Sequence, residues 1–121
     1  MAKKKILVVE DEPQMLDMIK IRLEAAGYKV FTALDGDEGL KRAKEEKPDL
    51  IILDIMMPKK DGYTFVKEAK TEESLKGIPI IVLTAKTGMK DLFGIEGIKD
   101  YILKPFESQD LLDKINSYLK E

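Results

Sequence analysis

Polar side chains that could carry chemistry stand at the ends of short apolar runs in this 121-residue chain. Asp54 directly follows the run Leu50–Leu53, and Glu10 and Asp11 follow an earlier run of the same kind. Three carboxylates brought together would repel one another and would favour a bound cation. Since oxygen is the only ligand type in this set, we expect Mg²⁺ or Mn²⁺.

Two further polar residues, Thr84 and Lys104, also follow apolar runs. Together with the carboxylates they indicate phosphoryl transfer. A carboxylate such as Asp54 beside a divalent ion is a competent nucleophile and would form an acyl phosphate. The transferring group carries negative charge on its oxygens, which the Lys104 ammonium and the Thr84 hydroxyl could contact. Each residue taken alone is more often a cap or loop residue, so only the combination indicates a phosphoryl-transfer site.

The composition limits the other classes of function. Hydrophobic residues make up 44% of the chain and charged residues 36%, which is typical of one soluble globular domain. Cysteine and histidine are both absent, which excludes disulfides, thiolate metal sites and histidine bases. The net charge of −2 argues against direct nucleic-acid binding by this domain. No stretch is apolar enough to be a signal peptide or to span a membrane, so we expect a cytoplasmic protein.

Apolar runs and helical patterns alternate along the chain, which predicts an α/β fold. A βα unit repeated five times implies a doubly wound five-stranded parallel sheet, most economically in the order 2-1-3-4-5. That order brings the carboxyl ends of strands one and three together and gathers the five polar residues there. We predict one domain over residues 1–121, with strands at Ile6–Val9, Tyr28–Ala33, Leu50–Leu53, Ile80–Leu83 and Tyr101–Leu103, helices that begin at Pro13, Glu38, Asp61 and Ser108, and a short helix within Lys86–Gly97.

Four motifs make the chain resemble the receiver domain of two-component response regulators, the CheY-like family. They are VVEDE (Val8–Glu12), LDIMMPKKDG (Leu53–Gly62), LTA (Leu83–Ala85) and DYILKPF (Asp100–Phe106), and the resemblance covers essentially the whole chain. It implies a flavodoxin-like or CheY-like fold. It also implies a phosphorylation switch that modifies itself, and not an enzyme that turns over a substrate.

The resemblance assigns roles to the polar residues at the strand ends. Asp54 would accept a phosphoryl group from a sensor histidine kinase or a phosphotransfer protein. Asp11, Asp54 and the backbone carbonyl of Met56 would bind Mg²⁺, with Glu10 supporting the ion from nearby. Lys104 would form an ion pair with the phosphoryl group.

The resemblance also implies a conformational readout. Thr84 would move towards the phosphoryl oxygen and Tyr101 would turn inward with it. This movement would change the face made by the fourth helix, the fifth strand and the fifth helix, to which an unknown downstream protein would bind. The peptide bond before Pro105 would be cis, and Pro58 and Gly62 would fix the loop after the third strand.

The chain departs from the family pattern in the segment that would carry this readout. The interval from Thr84 to Lys104 is slightly shorter than expected, and Ile98 stands where an alanine is usual. Met56 and Lys86 occupy positions that tune the lifetime of the phosphoryl group in this family, and neither supplies an acid to orient water. We therefore predict slow self-hydrolysis.

Two other classes of function use the same residues. A small phosphatase or phosphotransferase could use Asp54 on external substrates, but haloacid-dehalogenase-type enzymes need a second aspartate where Met56 stands, and also a cap domain. A degenerate receiver could act only as an interaction module, although the complete set of polar residues argues against that. The sequence is compatible both with a stand-alone regulator and with a domain of a longer chain.

Overall fold

The structure is a computed structural model, and it describes residues 3–55, 62–85 and 98–119. Five strands and four helices lie within these ranges. They are β1 (Lys5–Val9), α1 (Pro13–Ala25), β2 (Lys29–Ala33), α2 (Gly36–Glu46), β3 (Leu50–Asp54), α3 (Gly62–Thr71), β4 (Ile80–Ala85), β5 (Ile98–Lys104) and α4 (Ser108–Leu119). The helix predicted within Lys86–Gly97 falls outside the described residues, so α4 is the closing helix.

All neighbouring strands pair in parallel, and the sheet order is β2-β1-β3-β4-β5. The predicted fold and strand order are thus confirmed. β3 lies at the centre, where Leu53 pairs with Val9 of β1 and Asp54 pairs with Leu83 of β4. Because parallel strands all end at one edge of a sheet, the residues that follow β1, β3, β4 and β5 emerge side by side.

The central strand is buried on both faces, which explains its uninterrupted run of apolar residues. Successive side chains point to opposite faces of a strand. Ile51 and Leu53 therefore join the core cluster under α2 and α3, whereas Leu50 and Ile52 join the cluster under α1 and α4. Two apolar layers thus hold the strand that delivers Asp54, and its position is fixed from both sides.

Several element boundaries differ from the sequence prediction by one to three residues, among them those of α2 and β5. α2 begins at Gly36 and not at Glu38, because Asp35 caps it by accepting a hydrogen bond from the backbone N–H of Glu38 at 2.9 Å. β5 is longer than predicted and extends from Ile98 to Lys104. It contains an irregularity in its pairing with β4 at Lys99, since Ile98 and Asp100 pair with consecutive β4 residues.

The chain passes very close to itself at Gly62, where α3 begins after the loop that follows β3. The backbone N–H of Gly62 donates to the carbonyl of Ile55 at 3.0 Å. A Cβ atom at Gly62 would lie 2.6 Å from the Ile55 Cα, which is closer than any side chain can approach. Only glycine therefore permits this return of the chain beside the residue that follows Asp54.

Candidate functional site

Backbone hydrogen bonds continue past the strand ends and hold the candidate site in place. The N–H of Glu10, which directly follows β1, donates to the carbonyl of Ala33 at 3.1 Å. The N–H of Ile55, which follows Asp54, donates to the carbonyl of Leu83 at 3.1 Å. The two carboxylates therefore project from backbone that is still part of the sheet, and not from free loops.

The three predicted carboxylates converge at this edge. One carboxylate oxygen each of Glu10, Asp11 and Asp54 lies within 4.8 Å of the other two. Glu10 is 1% exposed and Asp54 is 4% exposed, whereas Asp11 is exposed to solvent. Buried carboxylates are costly unless a positive charge or hydrogen bonds compensate them, so the cluster requires a cationic partner.

Lys104 is that partner within the chain. Its Nζ lies 3.2 Å from Asp54 Oδ2 and 3.3 Å from Glu10 Oε1. Lys104 is the last residue of β5, and the bond that follows it, to Pro105, is cis as predicted. Because the cluster holds three carboxyl groups and Lys104 contacts two of them, the site can accept further positive charge.

Glu10 is the most strongly perturbed group of the cluster. Burial, a hydrogen bond with Asp54 and the negative charge of Asp54 together raise the pKa of Glu10 from 4.5 to about 8, although Lys104 acts in the opposite direction. Without a metal ion, this raised pKa favours the protonated form of the Glu10 carboxyl at neutral pH. Its second oxygen accepts a hydrogen bond from the Glu12 N–H at 3.3 Å.

The same crowding of carboxyl groups also raises the pKa of Lys104, which favours the charged form of the lysine. Burial alone would lower the pKa of Lys104, but the negative charges of Asp54 and Glu10, with their hydrogen bonds, raise it above its ordinary value. The lysine is therefore a permanent cation at the site. It can stabilise negative charge that develops beside Asp54.

The donor set fits a hard divalent cation. Its members are oxygens from side chains that approach from two strand ends, and exposed Asp11 leaves an opening through which water can complete the coordination. The sequence prediction also included the carbonyl of Met56, which lies outside the described residues, as does Pro58. Mg²⁺ and Mn²⁺ both suit such a site.

The two residues predicted to signal occupy different environments. Thr84 is 1% exposed and pairs in register with Leu103 near the carboxyl end of β4. Tyr101 is half-buried, pairs with Val82 and packs against the core cluster under α2 and α3. Their predicted coupled movement stays a prediction.

Sequence reasoning missed the contact between Lys104 and Glu10. It assigned the lysine to a phosphoryl group and the glutamate to a metal ion, and no pattern in the sequence joins them. The contact arises because the order of the sheet places both strand ends around Asp54.

No helix in the described ranges is both long and apolar enough to cross a membrane.

Comparison with known proteins agrees with this geometry. Residues 6–116 match the family model of the response regulator receiver domain. The alkaline phosphatase synthesis transcriptional regulatory protein PhoP of Bacillus subtilis is 43% identical over 119 residues, which are 97% of this chain and 49% of that protein. This chain therefore spans about half the length of the curated relatives that it matches.

Solved structures show the same fold. The chemotaxis response regulator CheY4 of Vibrio cholerae has a TM-score of 0.90 at 35% identity, and the match covers 98% of this chain and all of that one. The receiver domain of a sensor histidine kinase from Pseudomonas aeruginosa, which has a magnesium ion in its active-site cleft, has a TM-score of 0.90 at 31% identity over 99% of this chain and all of that one. The chain belongs to the family of response regulator receiver domains of two-component systems.

Proposed function

We propose that this receiver domain is a phosphorylation switch in which Asp54 is transiently converted to an aspartyl phosphate. The observation that carries the proposal is the Lys104 ammonium, which lies 3.2 Å from Oδ2 of the buried Asp54, within the acidic cluster. The domain catalyses its own phosphorylation and a slow dephosphorylation. It has no separate substrate that it turns over, so it is not an enzyme in that sense.

In the proposed transfer, a carboxylate oxygen of Asp54 forms a bond to phosphorus while the bond from phosphorus to the donor breaks. The donor keeps the electron pair of the broken bond, and Asp54 becomes the acyl phosphate. The donor in the cytoplasm is the phosphohistidine of a sensor histidine kinase or of a phosphotransfer protein, whose ring nitrogen takes that pair. Such a reaction depends on positioning and charge stabilisation, which the rigid end of β3 and Lys104 supply.

Asp11 and Asp54 would hold Mg²⁺ or Mn²⁺ together with the backbone carbonyl of Met56, and Glu10 would support the ion. When bound, the ion supplies positive charge that offsets the negative charge of the phosphoryl oxygens. The Lys104 ammonium needs to move only from a carboxylate oxygen to the phosphoryl group attached to it.

The output of the switch follows from contacts that change with phosphorylation. The Thr84 hydroxyl would donate a hydrogen bond to a phosphoryl oxygen, and Tyr101 would repack on the same side of the sheet. A domain with two such arrangements changes its affinity for a partner by shifting between them. The relatives named above include a transcriptional regulator, so we propose that a downstream protein unit controls transcription and that this domain itself does not contact nucleic acid.

Treatment with acetyl phosphate and Mg²⁺ tests the proposal through the intact mass of the protein. We expect the native chain to gain the mass of one phosphoryl group and Asp54→Asn to gain none. Asp17→Asn, which changes an exposed aspartate on α1, is the matched control and should gain the same mass as the native chain.

Two results would contradict this proposal. Addition of a phosphoryl group to Asp54→Asn would show that another residue is the acceptor. Continuous release of phosphate from an aryl phosphate ester, without accumulation of phosphorylated protein, would instead indicate a phosphatase that uses the same aspartate.

A further inference from the structure

A cavity opens at the edge of the sheet opposite the acidic cluster. Its volume is about 470 Å³, which falls within the range of small-molecule sites in proteins. The end of α3, the connection that leads into β4, the beginning of β5 and the end of α4 form its walls. Three lysines line it, namely Lys70, Lys76 and Lys99.

The irregularity in β5 presents one of these lysines. Ile80 pairs with Ile98 and the next residue, Ile81, pairs with Asp100, so Lys99 has no opposite residue in the ladder. An extra residue of this kind bends the strand and re-aims a side chain, and such bulges are frequent beside functional sites. Lys99 is exposed to solvent at the rim of the cavity.

A second lysine is fixed by the backbone. The Nζ of Lys70 donates to the carbonyl of Lys76 at 3.1 Å and to the carbonyl of Ile78 at 3.0 Å. Burial, together with the positive charge of Lys99, lowers the pKa of Lys70 below its ordinary value. The two amines therefore repel each other across the cavity, and an anion placed between them would relieve that repulsion.

Among the residues that the structure describes, no acidic side chain lines this cavity. Two acidic side chains outside the lining contact residues that belong to it, namely Lys76 and Tyr118. Glu73 contacts Lys76 at 2.8 Å as an exposed pair, and Asp100 accepts bonds from Lys114 at 3.1 Å and from the Tyr118 hydroxyl at 2.8 Å. Glu73 offsets the charge of Lys76, and Lys70 and Lys99 still give the lining an excess of positive charge.

The rest of the lining is apolar and includes Ile78, Ile98 and Tyr118. Lysines alone would suit inorganic phosphate, but the cavity volume and this apolar part of the lining also accommodate a flat apolar group. We propose that the cavity binds a phosphate-bearing small molecule with a planar ring, of the mononucleotide class. The lysines contact the phosphate, and the ring lies against the isoleucines and the tyrosine. This site is separate from the proposed phosphorylation site.

Titration with AMP, followed by two-dimensional amide NMR, tests the inference. EDTA is present so that AMP cannot bind through a metal ion at Asp54. We expect the amide signals of Ile78, Ile98 and Tyr118 to shift, and that of Thr84 to stay unchanged. An absence of shifts at the cavity, or shifts confined to the acidic edge of the sheet, would overturn the proposal.

Variants identify which chemistry the site recognises. The double variant Lys76→Gln/Lys99→Gln, which changes two exposed side chains, should weaken AMP binding by about tenfold or more, since the loss of one charged hydrogen bond to the phosphate already costs about that factor. Lys41→Gln, an exposed lysine of α2, is the matched control and should bind as the native chain does. Binding by the double variant equal to that of the native chain would overturn the proposal, and so would adenosine or inorganic phosphate binding as tightly as AMP.

Discussion

Without a divalent cation, this domain should lose stability as pH rises from about 5 to about 8, because of Glu10. The chain has no histidine, so no side chain with an ordinary pKa titrates in that range. The folded state keeps the Glu10 proton up to a pKa of about 8, whereas the unfolded chain loses it near 4.5. Since the folded state then binds more protons than the unfolded state, the free energy of unfolding falls with rising pH. The loss is complete once the pH exceeds the folded-state pKa of Glu10.

The size of the effect follows from the two pKa values. A single proton changes the free energy of unfolding by at most about 1.4 kcal/mol for each pH unit between them. Over the whole interval the upper limit is therefore about 5 kcal/mol, a large part of the stability of a typical domain. The other shifted groups do not contribute in this range. Asp100 has a lowered pKa that acts below pH 4, and the shifted lysines and tyrosines start from 10 or above.

Urea denaturation in EDTA at several pH values between about 5 and about 8 measures this slope. Glu10→Gln cannot ionise, so its stability should stay nearly constant over the range. Glu45→Gln removes an exposed carboxylate from α2 and should retain the slope of the native chain. The reasoning is refuted if the native chain shows no pH dependence, or if Glu10→Gln shows the same decline.

Three further predictions follow from the site and its supports. Mg²⁺ at about 100 times its dissociation constant should stabilise the native domain by about 2.7 kcal/mol in thermal unfolding; Asp11→Asn should lose most of this gain and Asp17→Asn should keep it. Gly62→Ala should cost about 1–3 kcal/mol of stability in urea denaturation because its Cβ would collide with Ile55, whereas Gly77→Ala, which faces open space, should change stability by less than about 0.5 kcal/mol. The phosphorylated domain should lose its phosphoryl group slowly when intact mass is followed over time, and complete loss within seconds would contradict that prediction.

The sheet and its strand order could be predicted from sequence because local residue patterns mark the strands. Such patterns can be recognised without knowledge of the contacts that the strands make. Leu50–Leu53 is apolar without interruption, which is typical of a strand covered by helices on both faces, and the structure buries all of it. The convergence of Glu10, Asp11 and Asp54 then follows from geometry, since parallel strands end at a common edge. Neither inference needs the details of any side-chain contact.

The features that were missed depend on contacts between distant parts of the chain. The bulge at Lys99 is set by the register of β5 against β4, which no local pattern records. The position of Lys104 against Glu10 likewise depends on the packed sheet. By contrast, the start of α2 could have been predicted from the sequence. An aspartate at position 35 with a glutamate three residues later, Glu38, is a recognised pattern for the beginning of a helix.

Localising the modification is the most direct test of the central claim. After acetyl phosphate and Mg²⁺ treatment, borohydride reduces an aspartyl phosphate to homoserine, and peptide mass mapping then identifies the position. We predict homoserine at residue 54 and at no other aspartate. Homoserine at Asp11 or elsewhere, or none at all in a protein that has gained a phosphoryl group, would contradict the assignment of Asp54 as the acceptor.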